Sequence, residues 1–207
     1  MCLSPAAVVT AAGMSRRMGQ WKPLLPLGSE TVLERTVSSL LQGGAERVVV
    51  VTGYRGAEAD ALVQRRFGAA VRCVHNPDYA CSDMLRSVQI GVAALPDCSG
   101  FYLLPGDMPF VSPETIGSLF HHWQRHPCDV VFPVAQGRRK HPPFLSARLI
   151  PAVLHYDGED GLRGLWLRLE GHMESLETAD PGVLVDLDTP EDYQRWKRRF
   201  EAYGTDQ

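Results

Sequence analysis

The chain has 207 residues, of which 44% are hydrophobic, and 21 basic against 24 acidic side chains leave a net charge of −3. This length can bury a full hydrophobic core, and we predict a single domain over residues 1–207. The charge argues against a dedicated nucleic-acid-binding protein, whose contact surface needs an excess of cations. Because no apolar run approaches the roughly 20 residues that span a bilayer, we expect no membrane segment.

Two features of the sequence bear on the cellular compartment of the protein. The first 13 residues are apolar but short and lack a basic leader, so we expect no signal peptide. The five cysteines are odd in number, widely spaced and without a CxxC pair. This usage favours free thiols in a cytoplasmic protein over a disulfide or zinc framework.

Short β-branched runs alternate with longer segments of helical periodicity along the chain. We predict buried strands at 6–10, 47–52, 70–74, 101–104 and 129–134. We predict helices at 31–42, 57–67, 83–95, 113–125 and 190–202. The alternation is typical of right-handed strand–helix–strand units, and it predicts an α/β fold, a three-layer αβα sandwich around a mainly parallel mixed sheet. Ligands in such folds bind beyond the carboxyl ends of the strands.

The loop after the first strand has the composition of a phosphate-binding loop. Ala11, Ala12 and Gly13 are small enough for backbone N–H groups to approach a ligand closely. Arg17 and Lys22 follow, and the spacing matches neither a Walker A loop nor the GxGxxG fingerprint. A solvated basic loop has the same composition, so both interpretations remain open here. Lysine is rare in this arginine-rich chain, which suggests that Lys22 serves as a compact point charge near a phosphoryl group.

Acidic residues follow the fourth strand and precede the last helix. Asp107 is expected at the carboxyl end of its strand, where a carboxylate could hold Mg²⁺, although Gly-Asp is also a common turn. Asp186 and Asp188 alternate around one residue and so share a face. We assign Asp188, with Glu191 and Asp192, mostly to helix capping, which makes Asp186 the better second metal ligand. Both Asp186 and Asp188 remain candidates.

Two further segments offer polar side chains near predicted strand ends. Ser82 is the expected N-cap of the third helix and a candidate nucleotide ligand, whereas Ser87 lies too deep in that helix to cap it. His141 follows three cations after the fifth strand. This loop could bind an anionic acceptor or pyrophosphate, and an exposed basic loop is an equally good interpretation.

The first loop, Ala-Ala-Gly-x-Ser-x-Arg-Met-Gly-x-x-Lys-x-Leu-Leu from residue 11, resembles the signature of the MobA-like nucleotidyltransferases. It is most similar to the molybdenum cofactor cytidylyltransferase branch, because the guanylyl branch tends to a Gly-Gly version. Gly-Asp-Met-Pro at 106–109 looks like the metal-binding motif of the family, and Ser87 lies in a stretch that resembles its nucleotide contacts. Lys140 stands where the family usually has glycine before His-Pro, which weakens the transfer of acceptor identity.

The resemblance implies a glycosyltransferase-A-like fold, with CTP as donor and molybdopterin carrying molybdenum as acceptor. We therefore predict a Mg²⁺-dependent nucleotidyltransferase in which residues 11–13 and Arg17 cradle the triphosphate, Lys22 neutralises charge, and Asp107 with Asp186 or Asp188 holds the metal. A molybdoenzyme or its cofactor-insertion chaperone is the implied protein partner. The alternatives are a sugar- or alcohol-phosphate nucleotidyltransferase using another base, and a non-catalytic nucleotide-binding cofactor-insertion protein.

Overall fold

The computed structural model describes residues 4–15, 18–158, 160–169 and 171–203. Its strands are β1 Ala6–Ala11, β2 Pro26–Leu27, β3 Glu30–Thr31, β4 Arg47–Thr52, β5 Val71–His75, β6 Gly100–Pro105, β7 Val130–Ala135, β8 Arg138–Arg139, β9 Phe144–Ser146 and β10 Met173–Glu177. Its α-helices are α1 Val32–Gln42, α2 Gly56–Phe67, α3 Met84–Ala93, α4 Pro113–Arg125, α5 Ile150–Leu154, α6 Gly161–Arg168 and α7 Pro190–Tyr203. All five predicted strands and all five predicted helices are present, with ends that differ by at most two residues.

The main sheet has the strand order β10-β7-β9-β6-β1-β4-β5, and β8 pairs with β7. The pairs β5–β4, β4–β1, β1–β6 and β7–β10 are parallel, whereas β9 runs antiparallel to both β6 and β7. The mainly parallel mixed sheet is therefore confirmed. Strand β9 has three residues, too few for its periodicity to show in the sequence.

Side chains of the sheet alternate between two hydrophobic layers. In β1, Ala7 and Val9 pack with buried residues of α1, α2 and α4, while Ala6 and Val8 pack with those of α3, α5 and α6. Helices thus cover both faces of the sheet, as the αβα prediction requires. A third apolar cluster, which includes Leu187 and Tyr193, packs α7 against the segment before α1.

The helix ends follow local side-chain chemistry. Thr31 and Glu34 form the predicted capping box at the start of α1, and Gly43 ends that helix. The predicted cap of α3 is wrong by one residue, because the Asp83 carboxylate accepts the Arg86 N–H at 3.0 Å. Ser82 is thereby released for another role, since a charged acceptor at the next position takes the helix N-terminus.

Helix α3 approaches the sheet most closely at Gly91. A β-carbon there would collide with the side chains of Val8 and Val51. We expect Gly91→Ala to lower the free energy of unfolding by about 1–3 kcal/mol, as overpacking of a core does. Gly117→Ala in α4 is the matched control, because its β-carbon meets only a backbone oxygen at 3.5 Å. Urea denaturation of both variants checks this, and equal stabilities would contradict it.

In the part of the chain that the structure describes, no helix is long and apolar enough to cross a membrane. The cysteines in that part, namely Cys73, Cys81, Cys98 and Cys128, are free thiols, as predicted. Burial raises the pKa of Cys73 to about 12, which keeps this thiol protonated.

Candidate active site

The loop after β1 is held in place by contacts within itself. The Ser15 hydroxyl accepts the Lys22 backbone N–H at 3.2 Å, and Ser15 adopts a left-handed backbone conformation, with φ of 51°. The buried Trp21 donates its indole N–H to the Gly13 carbonyl oxygen at 3.2 Å. These bonds fold the loop back over the end of β1 and bring Lys22 close to the residues that begin it.

Lys22 lies at the centre of an acidic cluster. Its ammonium nitrogen Nζ donates to Asp107 Oδ2 and to Asp188 Oδ1, each at 2.9 Å. Burial alone would lower the pKa of Lys22, but attraction to Asp107 and the hydrogen bonds to both carboxylates outweigh it and raise that pKa above its ordinary value. Lys22 is therefore a charged, oriented ammonium group although only 7% of the residue is exposed.

The carboxylates come from two segments that contact each other. Asp107 follows β6, and its carbonyl oxygen accepts the Leu187 N–H at 3.5 Å. Leu187 is fully buried, and Asp186 and Asp188 on either side of it both line the cavity described below. The predicted alternation of these two aspartates thus places them on the same face.

Helix α7 is capped by Thr189, the residue that directly precedes it. The Thr189 hydroxyl accepts the Asp192 N–H at 3.2 Å and donates to the Asp192 carboxylate at 2.8 Å. Asp188 directs an oxygen to Lys22 instead, so its assignment mostly to capping needs correction. Spacing could not show this, because the partner Lys22 lies 166 residues away in the sequence.

Asp186 differs electrostatically from its neighbours. Burial raises the pKa of Asp186, and repulsion from Asp107 and Asp188 raises it further. Lys22 donates hydrogen bonds to Asp107 and Asp188, whereas the opposing effects of His141 and Lys140 on the pKa of Asp186 are smaller than this repulsion. Such a cluster attracts an additional cation.

The acidic cluster forms one wall of a cavity of about 580 Å³ at the carboxyl ends of the central strands. Ten of the predicted site residues line it, namely Ala11, Ala12, Gly13, Lys22, Ser82, Ser87, Asp107, His141, Asp186 and Asp188. The eleventh, Arg17, lies outside the described residues. These residues belong to separate segments of the sequence, and the fold brings the ten into a single cavity. Their individual roles stay predictions.

Several cavity residues were not predicted from the sequence. Tyr79, Asp83 and Met84 belong to the segment between β5 and α3, and Ser15 and Pro23 belong to the first loop. None carries a spacing signal of its own. The position of the two loops at the same edge of the sheet was the one available signal, because they follow β1 and β5, which run parallel and have only β4 between them.

His141 lies on the side of the cavity near β6. Its Nδ1 is 3.3 Å from the Leu103 carbonyl oxygen, an atom that can only accept, so Nδ1 carries a proton. Burial lowers the pKa of His141, which favours the neutral ring with an unprotonated Nε2. His141 can therefore accept a hydrogen bond in the cavity, whereas the positive charge of this loop comes from residues 138–140.

The donor set of the cluster suits a hard divalent cation. Among the described residues, no three His, Cys, Asp or Glu side chains are grouped so as to hold a metal ion by themselves. Mg²⁺ commonly binds one or two carboxylates and takes its other ligands from water and substrate phosphates. Asp107 with Asp186 or Asp188 offers such an incomplete oxygen site, and the shared negative charge of the cluster favours its occupation.

The sheet is mainly parallel, is covered on both faces, and carries a loop of small residues, a buried lysine and carboxylates at its carboxyl edge. This arrangement is typical of a nucleotide-binding fold and has the charges that phosphoryl chemistry needs. A family model for the MobA-like NTP transferase domain matches residues 7–173. The chain therefore belongs to the MobA-like NTP transferase family and is a nucleotidyltransferase by class.

Relatives with different named activities match this chain over most of its length. The chain is 30% identical to the molybdenum cofactor cytidylyltransferase of Escherichia coli, over 93% of this chain and 95% of the relative. It is also 30% identical to the nicotine blue oxidoreductase of Paenarthrobacter nicotinovorans, over 91% and 94% of the two chains. A solved nucleotidyl transferase from Methanothermobacter thermautotroptrophicus superimposes with a TM-score of 0.80 at 29% identity, covering 97% of this chain and 99% of that one.

Proposed function

We propose that the protein transfers CMP from CTP to a phosphate-bearing acceptor, molybdopterin carrying molybdenum, with Mg²⁺ as cofactor and pyrophosphate as the second product. The observation that carries this proposal is the ammonium group of Lys22, fixed between Asp107 and Asp188 in the cavity that the loop of residues 11–13 lines. The similarity to the Escherichia coli cytidylyltransferase supports the choice of base and acceptor.

Charge stabilisation and positioning suffice for this reaction. An oxygen of the acceptor phosphate forms a bond to the α-phosphorus of CTP, and the bond from that phosphorus to the bridging oxygen of the β-phosphate breaks. The electron pair leaves with pyrophosphate, and no covalent enzyme intermediate is needed. The chain must therefore hold two anions in line and stabilise the charge that develops between them.

The residues of the cavity can be assigned to these tasks. Backbone N–H groups of residues 11–13 would donate to the triphosphate, together with Arg17. Lys22 would neutralise the charge at the α-phosphate and the attacking oxygen. For this role the ammonium group must stay protonated. Its raised pKa meets that requirement. Asp107, with Asp186 or Asp188, would hold Mg²⁺, which supplies charge neutralisation and orientation of the phosphates when bound.

The acceptor would enter beside His141. The loop of residues 136–140 carries three exposed or partly exposed cations, Arg138, Arg139 and Lys140, next to the cavity wall. An anionic acceptor would meet these charges first and then His141 as a hydrogen-bond acceptor. Lys140, in the position where the family usually has glycine, adds a charge at this entrance.

A matrix of donors and acceptors tests the proposal. Pyrophosphate release would be measured with CTP, GTP, UTP and ATP, each with Mg²⁺, in the presence of molybdopterin, of molybdenum cofactor and of simple sugar or alcohol phosphates. We expect turnover with CTP and the pterin acceptor. Turnover only with another base or a sugar phosphate would replace the proposed substrates, and CTP binding without turnover in any combination would indicate a non-catalytic binding protein.

A further inference from the structure

Asn76 is a buried polar residue that does not line the cavity but contacts residues that do. It is the one asparagine of the chain. It follows β5, is 0% exposed, and donates its backbone N–H to the Thr52 carbonyl oxygen at 2.8 Å. Its side chain reaches Ser82 and Ser87, which both line the cavity.

The orientation of the Asn76 amide is determined by its neighbours. The Asp78 backbone N–H lies 3.0 Å from Oδ1, and because an N–H can only donate, this atom must be the amide oxygen. The other amide atom is then Nδ2. It lies 3.0 Å from Ser82 Oγ and 3.0 Å from Ser87 Oγ, so its two hydrogens are donated to the two hydroxyl oxygens.

Both serine hydroxyls are thereby left with a proton to donate. Two hydroxyls within helices donate to the preceding turn, Thr36 to the Val32 carbonyl and Ser118 to the Thr115 carbonyl. Within the described residues, Ser82 and Ser87 have no such acceptor, although only 5% of Ser87 is exposed. Their protons are available to a molecule in the cavity.

We infer that Asn76 is a positioning residue for nucleobase selection. By donating to both serines, Asn76 leaves this part of the cavity wall with two O–H donors. Such a wall binds a base edge that carries hydrogen-bond acceptor atoms. The inference rests on the proposed function, and it concerns cytosine against uracil. The two bases have the same size, but position 3 is an acceptor nitrogen in cytosine and an N–H donor in uracil. Atom O2 accepts in both bases. With the two donors facing O2 and position 3, cytosine accepts from both and uracil from one, so the wall favours CTP over UTP.

Asn76→Asp reverses this polarity with little change of shape. The carboxylate still accepts the Asp78 N–H, and its second oxygen can only accept, so both serines must donate to it. These three donors favour the ionised form of the new aspartate. The serine lone pairs then face the cavity. We expect the ratio of kcat/KM for CTP to that for UTP to fall at least about tenfold, the effect of one mismatched hydrogen bond in a buried site.

Two further variants separate base selection from loss of structure. In the Ser82→Ala/Ser87→Ala double variant, both donors are absent, and we expect the CTP:UTP ratio to fall toward one. Gln64→Glu makes the same amide-to-acid change on the exposed side of α2, and Ser118→Ala removes a hydroxyl from α4. Neither control residue lines the cavity, and both controls should keep the wild-type ratio. Thermal melting of each variant establishes that it is folded.

The outcomes distinguish this inference from the proposed function. If the wild type releases no pyrophosphate with any nucleotide and acceptor, the proposed function fails. If the wild type is active but Asn76→Asp lowers kcat/KM equally for CTP and UTP, the role of Asn76 in base selection is overturned. Should Asn76→Asp not fold, the serine double variant decides, and an unchanged CTP:UTP ratio in that variant overturns the inference.

Discussion

Lys22→Ala is expected to lower kcat for pyrophosphate release by about 10²–10³-fold, the loss found when one oriented transition-state donor is removed. The ammonium group lies 2.9 Å from both Asp107 and Asp188 and is held there before substrate arrives. An interaction that strengthens as charge develops acts on kcat more than on KM. We therefore expect the KM for CTP to change by much less than kcat.

The measurement is steady-state pyrophosphate release with saturating acceptor. Lys197→Ala is the matched control, because Lys197 lies in α7 outside the cavity. Like Lys22 it faces a carboxylate, with its Nζ 3.9 Å from Glu201 Oε1. Lys22→Ala also leaves three carboxylates together without the ammonium group, so its thermal melting must be recorded. A folded Lys22→Ala protein with activity within about threefold of wild type would contradict the assigned role of Lys22.

Asp107→Asn is expected to weaken Mg²⁺ binding while the protein stays folded. The amide keeps the shape of the side chain but removes an anionic oxygen that the metal prefers. We expect kcat to fall by about 10²-fold at a fixed Mg²⁺ concentration and the half-saturating Mg²⁺ concentration to rise. Removal of divalent cations from the wild type with a chelator should abolish activity, and added Mg²⁺ should restore it.

The control for this prediction is Asp97→Asn, because Asp97 precedes β6 whereas Asp107 follows it, so the two lie at opposite ends of one strand. Asp186→Asn and Asp188→Asn in the same Mg²⁺ titration show which second carboxylate binds the ion. An unaltered Mg²⁺ titration curve in Asp107→Asn would show that Asp107 is not a ligand.

Much of the fold was predictable because its signals are local. The continuous apolar runs of β1 and β4 indicate strands buried on both faces, and the Thr31–Glu34 spacing indicates where α1 begins. Strand β9 was not predictable, because three residues carry no measurable period. Its place between β6 and β7 depends on pairing with both neighbours.

The site residues also divide into those that local sequence signals indicate and those that only the folded structure identifies. Residue types and strand ends were enough to propose Lys22 and Asp107, since cations and carboxylates at these positions suit phosphate and metal chemistry. Asn76 gave no comparable signal, because its amide acts through Ser82 and Ser87 and only the folded chain brings the three side chains together.

By itself, the sequence determined the five predicted strands and five predicted helices, the family signature, and the chemical character of the loops at the strand ends. Only the tertiary structure decided which charged side chains contact each other. Lys22 pairs with Asp188 across 166 positions of the chain, and such a contact depends on the sheet order and on the packing of α7, which no local pattern encodes. Hydrogen-bond polarity at the cavity wall was decided in the same way, because it depends on the partners that the fold gives to each hydroxyl.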